Sequence, residues 1–385
     1  MIETDPEVRA VAKAMSRTRR PWWERRGWRY NPFEHLDAAR DPHLLEYLVV
    51  PKVGEILLKH QPVLLIAPPG GGKTTLRRYV EQHALQTGGM IAPVTVIPSH
   101  PPARWTNIVR FATEALARRV FWQAVHHFRT LGWAEQPTVR ERLGRLWLYY
   151  LKPVPHLDIV AQWLGEGQWP ALEALLGTAY TPHPSAATLQ ALQRVVETMA
   201  RTTPSPAPSP EEAWQDGLAI LREWDVETVW LLLDGLDGFP ETTRLSTLWS
   251  IWKPALLRWL ETLATPLPVV LKAFLPWTPD GEVVLTAYTD LPWRRLRWND
   301  PGDLAEVIRA RVRAASNGLM DSLDAVVDAS LRPFEMRLLE TLPSEQRLPR
   351  YLVERAGEVL SCLEESGREF LPLHAWERLH AQWTK

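Results

Sequence analysis

Residues 64 to 80 read Leu-Leu-Ile-Ala-Pro-Pro-Gly-Gly-Gly-Lys-Thr-Thr-Leu-Arg-Arg-Tyr-Val. Three glycines, a lysine and two hydroxyl residues in this order suit an anion with several oxygens. Gly70, Gly71 and Gly72 let the backbone turn its N–H groups inward to form an anion-sized concavity. Lys73 supplies a point charge for terminal phosphates, and the Thr74 hydroxyl, followed by Thr75, suits a magnesium ion. Against the spacing G-x-x-x-x-G-K-[ST], Ala67 replaces the first glycine, a position that turns the chain without touching the ligand, and Pro68 and Pro69 fill the spacer. The alternative is a glycine-rich loop that happens to precede a lysine.

A second stretch, "VWLLLDGLDGFP" at 229–240, supplies carboxylates. Val229 to Leu233 is an uninterrupted apolar run, expected of a central parallel strand covered on both faces. Asp234 falls at its carboxyl end, where open α/β sheets bind ligands. It is the candidate carboxylate for a Mg²⁺ that bridges β- and γ-phosphates. Asp237, three residues on, is placed to orient or deprotonate an attacking water. An Asp-Gly turn is the plainer alternative for both.

These groups need elements to position them. Leu64 to Ile66 reads as a buried strand and Leu76 to Val80 as the first turns of a helix, whose free N–H groups favour phosphate. "IAPVTVIP" (91–98) reads as a second strand and "LPVVLKAFLP" (267–276) as another. "PWRRLRWNDPGDLAEVIRARVRAAS" (292–316) reads as a short strand, a turn at Asn299 to Gly302 and an amphipathic helix. About 130 residues separate the strand at 91 from that at 229, far beyond an ordinary connection. "TNIVRFATEALARRVFWQAVHHF", "TVRERLGRLWLYYL" and "TLQALQRVVETMA" within it carry helical periodicity. The insertion ends in the Pro-rich "TTPSPAPSP" (202–210), with Ser209 capping a helix that starts at Pro210.

"LLLDGLDG" after such a loop resembles the STAND and NACHT branch of the AAA+-related ATPases, in which the strand ends in Asp-Gly-hydrophobe-Asp. The resemblance implies an α/β fold, a P-loop parallel sheet flanked by helices, with a long helical insertion and a C-terminal helical lid. It implies ATP with Mg²⁺, since no Asn-Lys-x-Asp guanine-reading tetrapeptide occurs. Lys272, or a polar group near it, would then sense the γ-phosphate, unless it is a lysine at a strand edge. Arg294 and Arg295 match the place of an arginine finger into a neighbouring subunit, with a solvated basic turn as the alternative. Arg350, in the Pro-Arg pair that opens a lid helix, matches a second sensor. The chain departs from the pattern at Gly238, where NACHT proteins place another acid, and at Gly235, where most AAA+ proteins place Glu.

The expected organisation is an arm at 1–30, an ATPase core at 31–300 with its insertion at about 101–200, and a lid at 301–385. The lead-in at 31–60 carries a helix capped by Asp41 and begun by Pro42, and by the resemblance closes over the adenine. A net charge of −1 over 385 residues gives no global attraction to nucleic acid or anionic lipid. A single cysteine, Cys362, excludes an internal disulfide and fits a reducing, cytoplasmic setting. No apolar run approaches a membrane span, and the start of the chain lacks a signal-peptide core. Twenty tryptophans point to core or interface packing. The exception is "RTRRPWWERRGWRY" (17–30), whose six arginines, three tryptophans and tyrosine suit a subunit interface. Single-stranded nucleic acid is the less favoured partner for it. The expected function is an ATP-hydrolysing switch that forms a homo-oligomer and engages a separate protein through its insertion. A scaffold with little hydrolysis and a nucleic-acid loader are the alternatives.

Overall fold

The apolar runs assemble into one parallel sheet. In this computed structural model, which describes residues 20–100, 105–153, 156–176, 184–202, 206–239, 267–279, 281–288 and 291–383, the strands are β1 Val63–Ala67, β2 Ile91–Val96, β3 Thr228–Leu233, β4 Val269–Pro276 and β5 Trp293–Arg295. Their order is β2-β3-β4-β1-β5 and every pairing is parallel. β1 and β3 are buried at every residue, as strands covered on both faces must be. Because β4 lies between them, Ala67 and Leu233 end on the same edge of the sheet.

Parallel neighbours need crossovers, and helices supply them. α1 (Lys73–Leu85) joins β1 to β2. The insertion contributes α2 (Trp105–His126), α3 (Pro137–Tyr150), α4 (Leu157–Glu166), α5 (Trp169–Leu176), α6 (Ala186–Thr202) and α7 (Pro210–Glu223). α8 (Gly281–Tyr288) precedes β5. The helical pattern "LWSIWKPALLRWL" lies outside the described residues. The cap at Ser209 forms as expected. Its hydroxyl accepts from Glu212 N, the Glu212 carboxylate accepts from Ser209 N, and Pro210 opens the helix.

The insertion is not a tethered appendage. Phe121, Trp122, Trp133, Trp147, Leu192 and Trp214 share one continuous core with Leu64, Val94 and Leu231 of the sheet. The end of the Pro-rich stretch, 206–210, is likewise fastened, since Tyr150 Oη donates to Pro208 O and Thr113 Oγ1 to Pro210 O. The insertion is therefore part of the sheet's own compact unit and not a mobile module tethered beside it. The insertion has too much apolar surface to stand apart from the sheet.

The chain divides into two compact units. The first, 55–69 with 76–295, holds the sheet and insertion; the second gathers the residues up to Gly54, Gly70–Thr75 and Leu296–Lys385. In the second unit α9 (Pro301–Ala315), α10 (Phe334–Glu340), α11 (Pro349–Ser366) and α12 (Leu373–Trp383) enclose a separate core. Asp300 caps α9 by accepting from Gly302 N, with Pro301 at the first helical position.

Trp22 and Trp28 belong to that core, 2% and 4% exposed, edge-on to each other. Trp22 Nε1 donates to Arg368 O and Arg26 to Glu369 O. Two of the three tryptophans of 17–30 are therefore spent on the chain's own core and are unavailable as interface or base-stacking anchors. Residues 17–19 lie outside the described set. The lead-in is corrected. Asp41 accepts from His43 N in an Asx turn but caps no helix, because the element that follows is a 3₁₀ turn, Leu44–Glu46, whose N-cap is His43. The segment is fixed by tertiary bonds instead. Buried Asp41 accepts from Tyr47 Oη and pairs with Arg311 of α9, which also donates to Pro32 O and lies over the Tyr47 ring.

Candidate nucleotide-binding site

The glycine loop is built within the second unit. Gly70 and Gly72 have φ of 78° and 97°, a region that side chains rarely enter. Gly70 is further enforced by space, because a Cβ there would lie 2.9 Å from Arg350 Cβ. Arg350 N donates to Gly70 O at 3.4 Å, and Trp298 Nε1 donates to Gly71 O at 2.9 Å. Lys73 opens α1 and is 5% exposed, with Thr74 and Thr75 after it in the same first turn. Ala67 ends β1, and Pro68 and Pro69 carry the chain to the loop. A helix N-terminus with alternating backbone handedness before it can hold a phosphate through main-chain N–H groups.

The carboxyl edge of the sheet is built within the first unit. Asp234 follows the last residue of β3 and is buried, its N–H donating to Val96 O. Its Oδ2 accepts from Arg77 Nε of α1 at 3.2 Å. Arg77 also pairs with Glu81, which accepts from Thr95 Oγ1 of β2. Sequence reasoning missed Arg77, which reads there as one of two basic residues on a helix. Its four-residue spacing from Glu81 was the available signal. Gly235 turns left-handed (φ 78°), and a Cβ there would meet Ile97 Cγ2 at 3.0 Å. Any side chain at this position, a glutamate included, would be strained in this backbone. Asp237 sits three residues on, in the 3₁₀ turn Leu236–Gly238.

Lys272 is a correction. It pairs in register with Val63, at the start of β1, and its Nζ donates to Lys59 O and Gln61 O. In the staggered sheet it is level with the start of β1 and with Leu232 of β3, and the backbone carbonyls ahead of β1 hold its ammonium. Burial without a carboxylate partner lowers its pKa to about 8, and its ammonium lies over the Trp230 ring. The polar group at the carboxyl end of β4 is Thr278, whose buried Oγ1 has no hydrogen-bond partner among the described residues. A threonine two residues past an apolar run was the signal for it. Arg294 and Arg295 lie within β5, not ahead of it. Arg295 is held by Glu282 at 2.6 Å and stacks on Trp277. Arg294 is exposed and bonds only its neighbour's carbonyl, Trp293 O, among the described residues.

No helix among the described residues is long and apolar enough to cross a membrane. No family model matches the chain, and no curated protein is detectably similar. Among solved structures it is similar to the Aeropyrum pernix ORC1 protein in complex with DNA, with 13% identity and a TM-score of 0.39 over 91% of this chain and 69% of that one. A likeness of that degree says nothing about chemistry, so the reading rests on the residues: an α/β chain with a phosphate-type loop after β1 and a buried aspartate at the end of β3.

Proposed function

We propose that the chain is an ATPase of the AAA+ superfamily, close to its STAND/NACHT branch, working as a nucleotide-dependent switch. One observation carries the reading. A buried parallel strand leads through left-handed glycines into a helix that opens on Lys73, and the same sheet edge bears Asp234. The loop amides and Lys73 bind the β- and γ-phosphates of the substrate, and Asp237 orients the attacking water.

Magnesium fits the donors present. Thr74 and Asp234 offer hard oxygens, and Arg77 already holds the Asp234 carboxylate through Oδ2. Bound there, the ion would neutralise charge on the transferring phosphoryl group. Arg77 holds the Asp234 side chain in one rotamer beforehand. Thr278 takes the γ-phosphate-sensing place first given to Lys272, Arg350 is the second sensor, and exposed Arg294 is the better candidate finger toward a neighbouring copy. Arg295 is the weaker one, being engaged by Glu282. A separate protein partner on the insertion remains part of the proposal.

A second reading, ATP binding with little hydrolysis, is favoured by Gly235 in place of an acid. Titration calorimetry with ATP and phosphate release by wild type and Lys73→Ala decide the matter. Wild type should bind in a Mg²⁺-dependent way and the variant should not; unchanged affinity in folded Lys73→Ala rejects the nucleotide site. Binding without turnover selects the scaffold.

A further inference from the structure

The loop owes its shape to groups outside itself. A trans peptide points its C=O and its N–H in opposite directions. Trp298 Nε1 fixes the Gly71 carbonyl at 2.9 Å, which turns the Gly72 N–H the other way. Arg350 N holds the preceding carbonyl, Gly70 O, more loosely at 3.4 Å, and so turns the Gly71 N–H. The two carbonyls are thus fastened from without, and the N–H groups of Gly71 and Gly72 are turned the other way, toward the place of a ligand. The donor is itself anchored, because the Trp298 ring packs against the core that contains Leu304, Ile308 and Leu352. Trp298 and Leu296 also lie beside the next residue, where a Cβ on Gly72 would make ordinary contact with them at 3.7 and 3.8 Å.

We propose that Trp298 is a positioning residue for phosphate binding, holding the Gly71–Gly72 peptide with its N–H toward the phosphates. The inference rests on the nucleotide-binding reading above and deepens it. Without this bond the peptide between two glycines is free to flip and present its carbonyl oxygen to an anion. By reciprocity, a phosphate that fixes the Gly72 N–H strengthens the Trp298 bond by the same factor, so ligand at the loop tightens the loop's hold on residues 296–298.

The test replaces Trp298 with its benzothienyl analogue by nonsense suppression, which keeps the bicyclic ring and removes only the N–H. Trp298→Phe, made conventionally, removes the same donor. ATP and inorganic tripolyphosphate are titrated calorimetrically into the full chain, and urea unfolding of the ligand-free protein is followed in parallel. The loss of one neutral hydrogen bond should weaken both ligands by a similar factor, about three- to tenfold. The ligand-free unfolding midpoint of the analogue should stay put. Unchanged affinity for tripolyphosphate in the analogue, where Lys73→Ala abolishes it, overturns the inference and leaves the nucleotide site standing. A loss matched by a lower unfolding midpoint in both variants makes Trp298 merely structural and overturns it as well. Failure of wild type to bind either ligand removes the nucleotide site and the inference together.

Discussion

Lys73 carries the only positive charge in the loop, and its side chain is already desolvated at 5% exposure. Lys73→Ala should leave the fold intact while removing measurable ATP binding, read by calorimetry with circular dichroism as the control. Asp237→Asn should retain ATP and slow turnover by roughly 10²–10⁴-fold, the usual contribution of a general base. Equal turnover in the two proteins would move the base elsewhere. Gly70→Ala is a sharper probe of loop shape, because the new methyl meets both the Arg350 side chain and an unfavourable φ. Glycine spacing, Lys73, Asp234 and Asp237 were legible in sequence because their chemistry depends on local order along the chain. Arg77, Thr278 and Trp298 were not. Arg77 and Trp298 act through partners 157 and 227 residues away, and Thr278 stands out only by the burial of its hydroxyl.

Among the elements, β4 shows what pattern reading supplies and what it omits. The run 267–276 announces a buried strand, but a strand looks the same from either end, and only its register shows that Lys272 lies level with Val63. That position has a measurable signature. Lys272 titrates near 8 in the folded chain against 10.5 when unfolded, so the unfolded state holds more protons between those values. Its contribution to stability is therefore complete above about pH 10.5 and is lost as pH falls through about 8. Relative to Lys272→Met, wild type should gain stability as pH rises from 8 to 10.5, read by urea unfolding at fixed ionic strength. A difference that stays flat across that window would mean that Lys272 is solvated. In the other unit, Trp22→Ala removes a large buried ring and an indole bond to Arg368 O. It should cost about 3–5 kcal/mol of stability in that unit. If the residues around Trp22 were instead an interface arm, the same change would alter self-association and leave unfolding untouched. The basic, aromatic composition of 17–30 could not make this distinction, since Trp and Arg serve cores and interfaces alike.

For the assembled chain, the open question is whether one copy completes another's site. Arg294 is exposed on the edge strand β5, while Arg295 is bound by Glu282 and Trp277. If Arg294 acts in a neighbour, specific activity should rise with protein concentration, and Arg294→Ala should abolish that rise while ATP still binds. An arginine finger is worth about 10³–10⁵ in rate. Arg295→Ala should have a smaller effect on turnover and a larger one on stability. Activity per chain that is independent of concentration in wild type would make the protein a single-copy switch. The parallel sheet was legible from apolar runs, and of the C-terminal helices the one after the turn at Asn299 to Gly302 was legible from its amphipathic pattern. The merging of the insertion into the main core was not, because helical periodicity shows that a face is buried but not against what.

The second unit draws on both ends of the described chain, Trp22 to Gly54 with Leu296 to Trp383. Ribosomal synthesis delivers these pieces separately. At about 5–20 residues per second, the N-terminal piece emerges on the order of ten seconds to a minute before its partner helices exist. During that interval Trp22, Trp28 and Phe33 have nothing of their own to bury against, while the sheet and insertion between can already close. The nascent chain would therefore carry this aromatic segment without its partner helices until residues 296–383 are made. Its folding yield in the cell would be set by how well that segment is shielded until α9 to α11 arrive.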